Sequence, residues 1–125
     1  PPLRILFVED DKVSITFGAA LLKKLGFDCT VAENGRECLT ALETGSFDLV
    51  LTDIRMPVMN GEEALCEIRR YEQGTTAHQP VIAMTAHSMR EEKERFLAQG
   101  FDGYISKPLI TKELIAEMKR VLGEP

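Results

Sequence analysis

Apolar and polar residues are arranged along this chain in two rhythms. Five short, nearly continuous apolar runs have strand length: LRILFV (3–8), DCTVA (28–32), FDLVLT (47–52), PVIAMT (80–85) and DGYIS (102–106). Helical spacing fills the intervals. Val13, Phe17, Ala20, Leu21 and Leu25 form the apolar face of a first helix that Gly26 ends. Asn34-Gly35 opens a second, carrying Cys38, Leu39 and Leu42, and residues 61–71 form a third with Ala64, Leu65 and Ile68 on one face. A charged helix over 88–99 has Met89, Phe96 and Leu97 as its inner face. The last, over 111–122, repeats Leu114, Met118, Val121 and Leu122, with Thr111 as N-cap.

Strand–helix alternation with apolar rather than alternating strands predicts an α/β fold. The chain reads as a doubly wound parallel sheet with five strands and helices on both faces. At 125 residues it fits a single domain, 1–125, with a core over about 3–122. Hydrophobic residues are 44% and charged residues 28%, the balance of a soluble globular domain. No apolar stretch approaches the ~18 residues that span a bilayer, and no basic-then-apolar leader is present. The Pro1-Pro2 start, without Met, is expected of a processed chain or a piece of something longer. Net charge is −5 with scattered Lys and Arg, which argues against direct DNA or RNA binding. Cys29, Cys38 and Cys66 lack CxxC spacing and read as small buried thiols in a reducing cytoplasm, the expected location.

In a doubly wound sheet the functional crevice lies at the carboxyl ends of the strands. Glu9, Asp10 and Asp11 follow the first run, Asp53 the third, Thr85 the fourth, and Lys107-Pro108 the fifth. Singly, each has a structural explanation: Asp11 caps a helix, Glu9-Asp10 could do the same, and Asp53 could form an Asx-turn before Met56-Pro57. Together they put carboxylates, a hydroxyl and an ammonium on one rim. Clustered carboxylates raise one another's pKa unless a cation lies between them. Magnesium suits the set, a hard ion with oxygen ligands and open positions, and manganese could replace it. Glu9, Asp10, Asp53, one divalent ion and Lys107 balance to zero charge, so an anionic phosphoryl group can enter. Asp53 would then be a carboxylate nucleophile.

VEDD (8–11), LTDIRMPVMNG (51–61), MTA (84–86) and YISKP (104–108) resemble, in order and spacing, the motifs of the response-regulator receiver domain of two-component signalling. The resemblance implies a (βα)5 flavodoxin-like fold and a phosphoacceptor signalling domain rather than an enzyme. It makes Asp53 the phosphoacceptor, loaded from a phosphohistidine donor in a Mg-dependent step. Glu9 and Asp10 match the acidic pair that holds the metal, with Asp10 the direct ligand, and the Arg55 backbone carbonyl completes the site. Thr85 matches the hydroxyl that follows the phosphoryl oxygen, Lys107 the cation that pairs with it, and Tyr104 the aromatic switch. Lys107-Pro108 matches a peptide bond that is cis in the family. The face made by helix 4, strand 5 and helix 5 is the expected switching surface, for a dimer or an output domain. Core packing without switching is the other reading of Tyr104.

Partners implied are a histidine kinase or a histidine phosphotransfer domain. MTAHSMREEKERFLAQGFDGYISKPL resembles receivers of hybrid sensor histidine kinases, so a parent protein would be such a kinase. Arg55 and His87 occupy the positions that flank the water path in the family; a cationic Arg55 side chain is expected to alter the lifetime of a phosphoryl group unless it points to solvent. His78 precedes Pro80 in a loop, and two histidines make no histidine metal site. Two other readings compete: a degenerate receiver-like interaction module, and a haloacid-dehalogenase-like phosphatase. The latter needs a DxD motif after the first strand, whereas Asp53 follows the third and residue 55 is Arg.

Overall fold

The computed structural model describes residues 2–86 and 90–123. Ten elements alternate without exception: β1 (Arg4–Val8), α1 (Lys12–Lys24), β2 (Asp28–Ala32), α2 (Gly35–Thr44), β3 (Leu49–Asp53), α3 (Gly61–Glu72), β4 (Val81–Thr85), α4 (Arg90–Gln99), β5 (Gly103–Ser106) and α5 (Thr111–Leu122). All strand pairs are parallel, in the order β2-β1-β3-β4-β5. The chain leaves β1 toward one edge and returns to its other side as β3. That reversal opens a crevice beyond the carboxyl ends of β1 and β3.

Because successive strand side chains point to opposite faces, the apolar runs supply two cores. Leu6, Val8, Val50, Val81 and Ala83 pack under Leu39 of α2, Leu65 and Ile68 of α3, and Phe96 of α4. Ile5, Phe7, Leu49, Leu51, Ile82 and Met84 pack under Leu22 of α1 and Leu114 and Met118 of α5. The sheet is thus covered on both faces, as the uninterrupted strands predict.

Local chemistry sets the helix limits. The Asp11 side chain caps α1 by accepting from the Ser14 N–H at 2.9 Å. Gly26 closes α1 at φ 91°, with Gly26 N–H donating to Lys23 and Phe27 N–H to Leu22, the Schellman pattern. Asn34 caps α2, and Asn60 with Glu63 forms a capping box at α3.

Several expectations need correction. Val13 and Phe17 are 64% and 73% exposed; the inward residues of α1 are Gly18 and Leu22. A Cβ at position 18 would lie 2.4 Å from the Phe7 ring, so α1 rests on that ring through its glycine. Leu97 is exposed on α4, and the expected start of that helix at 88 with its Met89 contact lies outside the described residues. Thr111 does not cap α5: Ile110 is the N-cap residue and makes no side-chain cap bond. Of the cysteines, Cys38 is buried, Cys29 partly so, and Cys66 exposed.

Close packing and side-chain hydrogen bonds finish the sheet at the β5 edge and at the amino end of β4. At the β5 edge, α5 lies close enough that a Cβ on Gly103 would meet Glu117 and Val121 at 2.7 Å. The Tyr104 N–H donates outward to Glu117 Oε2 at 2.8 Å, and Arg120 Nη2 donates to the Asp102 carbonyl at 2.8 Å. Below β4, Arg69 joins the carbonyls of Gly100 and Gln79 to Glu72 and Asp102, and His78 Nε2 meets Asp102 at 2.6 Å. His78 therefore belongs to a carboxylate network at the opposite end of the strands from the crevice.

Candidate functional site

The crevice collects the residues that the strand ends deliver. Val8 pairs with Thr52, Asp53 with Met84 and Thr85 with Ser106, so the segments after β1, β3, β4 and β5 emerge side by side. Among the described residues four polar ones are buried, and all stand at this rim: Glu9 at 1% exposure, Thr52, Asp53 and Thr85. Buried polar groups at one edge of an otherwise apolar interior need specific partners.

Each carboxylate has them. Asp53 Oδ1 accepts from the Ile54 N–H at 2.8 Å, and Oδ2 from Lys107 Nζ at 3.0 Å. Glu9 Oε1 accepts from the same ammonium at 2.6 Å, while Oε2 takes the N–H groups of Asp10 and Asp11 at 3.1 and 3.2 Å. Lys107 thus bridges two acids carried by β1 and β3, from the far edge strand. Its own backbone N–H is held by the Thr85 carbonyl at 2.7 Å, and Lys107–Pro108 is a cis peptide bond. Burial pulls the Lys107 ammonium down, but the two carboxylates outweigh it and raise the group above the ordinary lysine value. Burial raises Glu9 above the ordinary carboxylate value; Lys107 and the Asp11 N–H oppose this, and the neighbouring Asp53 adds to it.

Carboxylate oxygens of Glu9, Asp10 and Asp53 lie within 4.8 Å of one another. Three hard oxygen donors at that spacing fit a small divalent cation such as magnesium. The Arg55 side chain is exposed, and its residue follows Ile54 directly in the loop from β3. Thr85 is 6% exposed at the end of β4, on the face that α4 covers. Tyr104 is half-buried with its ring 5.9 Å from Phe96 of α4, and burial with the Glu92 charge raises its phenol. His87 lies outside the described residues.

Two features of the β3–α3 loop were not visible in the sequence pattern. Gly61 is packed against the backbone of the candidate nucleophile: a Cβ there would sit 2.3 Å from the Asp53 carbonyl oxygen, while the Gly61 N–H donates to Ile54 O at 2.9 Å. Val58 has φ 68°, and Met59 N–H donates to Pro57 O at 2.7 Å, a three-residue turn that is strained for a β-branched residue. The Met59 carbonyl is anchored in turn by the Gly35 N–H at 2.7 Å, which ties the loop to α2. The sequence pattern marks Gly61 only as the start of the third helix.

Beside the crevice, Val13, Phe17, Leu21, Met84 and Leu109 line an apolar cavity of about 510 Å³ that ends at Glu9 and Lys107. No helix among the described residues is long and apolar enough to cross a membrane.

Comparison with known proteins gives one consistent result. The response regulator receiver domain family matches residues 5–119. Hybrid signal transduction histidine kinase I of Dictyostelium discoideum is 39% identical over 118 residues, covering 90% of this chain and 7% of that protein. The sensor protein GacS of Pseudomonas syringae pv. syringae is 35% identical over 120 residues, covering 91% of this chain and 13% of that protein. The chain therefore spans a small part of the length of these relatives. Among solved structures, the receiver domain of sensor histidine kinase PA1611 from Pseudomonas aeruginosa PAO1 superposes with a TM-score of 0.85 at 33% identity, covering 99% of this chain and all of that one; it holds a magnesium ion in its active-site cleft.

Proposed function

Since this chain belongs to the response regulator receiver domain family, we propose that Asp53 takes a phosphoryl group from a phosphohistidine of a histidine kinase or histidine phosphotransfer domain. An Asp53 oxygen forms the new P–O bond as the P–N bond breaks, and the imidazole nitrogen leaves with the electron pair. The observation that carries this reading is Lys107 bridging Asp53 and buried Glu9 at 3.0 and 2.6 Å, beside the Asp10 carboxylate. Asp10, Asp53 and the Arg55 carbonyl are the residues that would bind magnesium directly, with Glu9 beside them as the second acid of the pair. When bound, that ion supplies positive charge against the transferring oxygens. Lys107 supplies the remaining cation, and the buried Thr85 hydroxyl is the donor that follows the phosphoryl oxygen. The exposed Arg55 guanidinium alters how long the product persists.

Two surfaces serve partners in this reading. Exposed Val13 and Phe17, which line the cavity beside the crevice, would offer the phosphoryl donor an apolar docking surface. The face of α4, β5 and α5 carries the output. Phosphorylation adds about two negative charges at Asp53, Thr85 moves toward them, and Tyr104 shifts in its packing against Phe96. Within a longer parent, the domain would work as the receiver of a hybrid histidine kinase, as its relatives' names suggest.

Incubation with acetyl phosphate or phosphoramidate and Mg²⁺, followed by intact mass, tests the reading. A gain of ~80 Da that Asp53→Asn abolishes is the expected result. No gain in the wild-type protein under any condition rejects it.

A further inference from the structure

Glu9 uses its oxygens in an uneven way. Oε2 is taken by two backbone N–H groups of its own loop, and Oε1 by Lys107 at 2.6 Å, closer than Lys107 stands to Asp53 at 3.0 Å. Asp10, which is only partly buried, has no such bond to its side chain among the described residues. The two acids after β1 are therefore differently committed. We propose that Glu9 is a positioning residue that acts through Lys107: it is the anchor that keeps the ammonium in the crevice while Asp53 Oδ2 is freed for bonding to phosphorus. The inference rests on the phosphoacceptor reading above.

The geometry gives the reason. In the resting arrangement Lys107 occupies Asp53 Oδ2, and the Ile54 N–H occupies Oδ1. A hydrogen bond from an ammonium draws electron density from the attacking oxygen and lowers its nucleophilicity, so the Lys107 bond must loosen before or during transfer. An ammonium held only by Asp53 would have to leave the nucleophile for solvent. Held also by Glu9, it can give up Oδ2, remain near the pocket, and meet the incoming phosphoryl oxygens without a solvent detour. Glu9 is fixed for this task, at 1% exposure and with its second oxygen tied to the Asp10 and Asp11 N–H groups. Reach matters as much as charge. Shortening the side chain by one methylene withdraws the carboxylate about 1.5 Å, so an Asp at position 9 can satisfy the loop N–H groups or Lys107, but not both.

Glu9→Asp keeps the negative charge beside the direct ligands Asp10 and Asp53 and shortens the reach to Lys107, so it tests this role apart from that of a direct metal ligand. With acetyl phosphate as donor, Asp53 forms the P–O bond and acetate leaves with the electron pair. The maximal phosphorylation rate at saturating Mg²⁺ should fall about tenfold, while the Mg²⁺ concentration for half-maximal rate stays within about twofold. In a Lys107→Met background the same substitution should change the rate no further. The metal-free protein gives an independent readout: the ¹H–¹⁵N ammonium signal of Lys107 should shift or exchange away in Glu9→Asp. The amide spectrum of that sample reports the fold; if Glu9→Asp unfolds, Glu9→Gln, which keeps the length and loses the charge, should lose the same signal. An altered Mg²⁺ requirement with an unchanged maximal rate, an equal fall without Lys107, or an unmoved Lys107 signal would each overturn the proposal. Failure of the wild type to gain a phosphoryl group would instead reject the phosphoacceptor reading, leaving the metal-free measurement to decide the contact.

Discussion

Replacing Gly61 by Ala would put a methyl carbon 2.3 Å from the Asp53 carbonyl oxygen and 3.2 Å from the Ile54 Cα. A comfortable carbon–oxygen contact is about 3.3 Å, so about 1 Å must be recovered by moving backbone. Neither side yields easily. The Asp53 carbonyl accepts from the Thr52 hydroxyl at 2.9 Å, and the Gly61 N–H is bonded to Ile54 O at 2.9 Å. Such overpacking costs about 1–3 kcal/mol, and the better helix propensity of Ala returns less than about 1 kcal/mol. The melting temperature should fall by several degrees, on the order of 3–8 °C. The functional loss should be larger, because a displacement of about 1 Å at the nucleophile lowers a positioned reaction about 10²-fold. Phosphorylation by acetyl phosphate, followed by intact mass over time, measures it. Gly45→Ala is the control, since its nearest neighbour would lie 3.8 Å away. A Gly61→Ala protein that is phosphorylated within about twofold of the wild-type rate would refute the claim that this glycine sets the place of Asp53.

Two further outcomes test the electrostatics. Burial pushes Glu117 up, but Arg120 and the Tyr104 N–H outweigh it and hold the carboxylate below its ordinary value of 4.5. A depressed folded-state value contributes stability above that pH and loses it as pH falls through the folded value. Glu117→Gln should thus cost about 1–2 kcal/mol at neutral pH, and the gap in urea midpoint should narrow below pH 4.5; a gap constant across that range contradicts the assignment. For the thiols, burial raises Cys38 to about 12 and raises Cys29 less decisively, whereas Cys66 is exposed. Maleimide at pH 8 should therefore modify Cys66 first, Cys29 slowly and Cys38 only on unfolding, and rapid labelling of Cys38 followed by peptide mapping would show the burial to be misjudged.

The strand ends were legible because one rule does the sorting: apolar runs end at the crevice, so Glu9, Asp10, Asp53, Thr85 and Lys107 declared themselves by position alone. The α1 face was not. Val13 and Phe17 scored as core because apolar periodicity assigns no weight to Gly18, yet it is the glycine that lets the helix sit on Phe7. The partnership of Glu9 and Lys107 was hidden for another reason. It joins residues 98 apart, and its content is a matter of side-chain length that no local pattern records. Gly61 was legible as the start of the third helix, but the closeness of Asp53 O follows from packing α3 back onto β3. The cis Lys107–Pro108 bond and the capping Asp11 agree with expectation.

The side chains of Glu117 and Arg120 occupy the Tyr104 N–H and Asp102 carbonyl at the outer border of β5. An unguarded strand border is a template on which another chain can extend the sheet. Here two hydrogen-bonding positions are already spent on α5, and a visiting strand would have to break a charge-assisted contact for each bond it gained. Domains of this build can stand beside one another at high local concentration, or be strung in series along one polypeptide, without their sheets fusing at this border. Association across this side must then come from helix and side-chain surfaces, which can be made and unmade without refolding a strand.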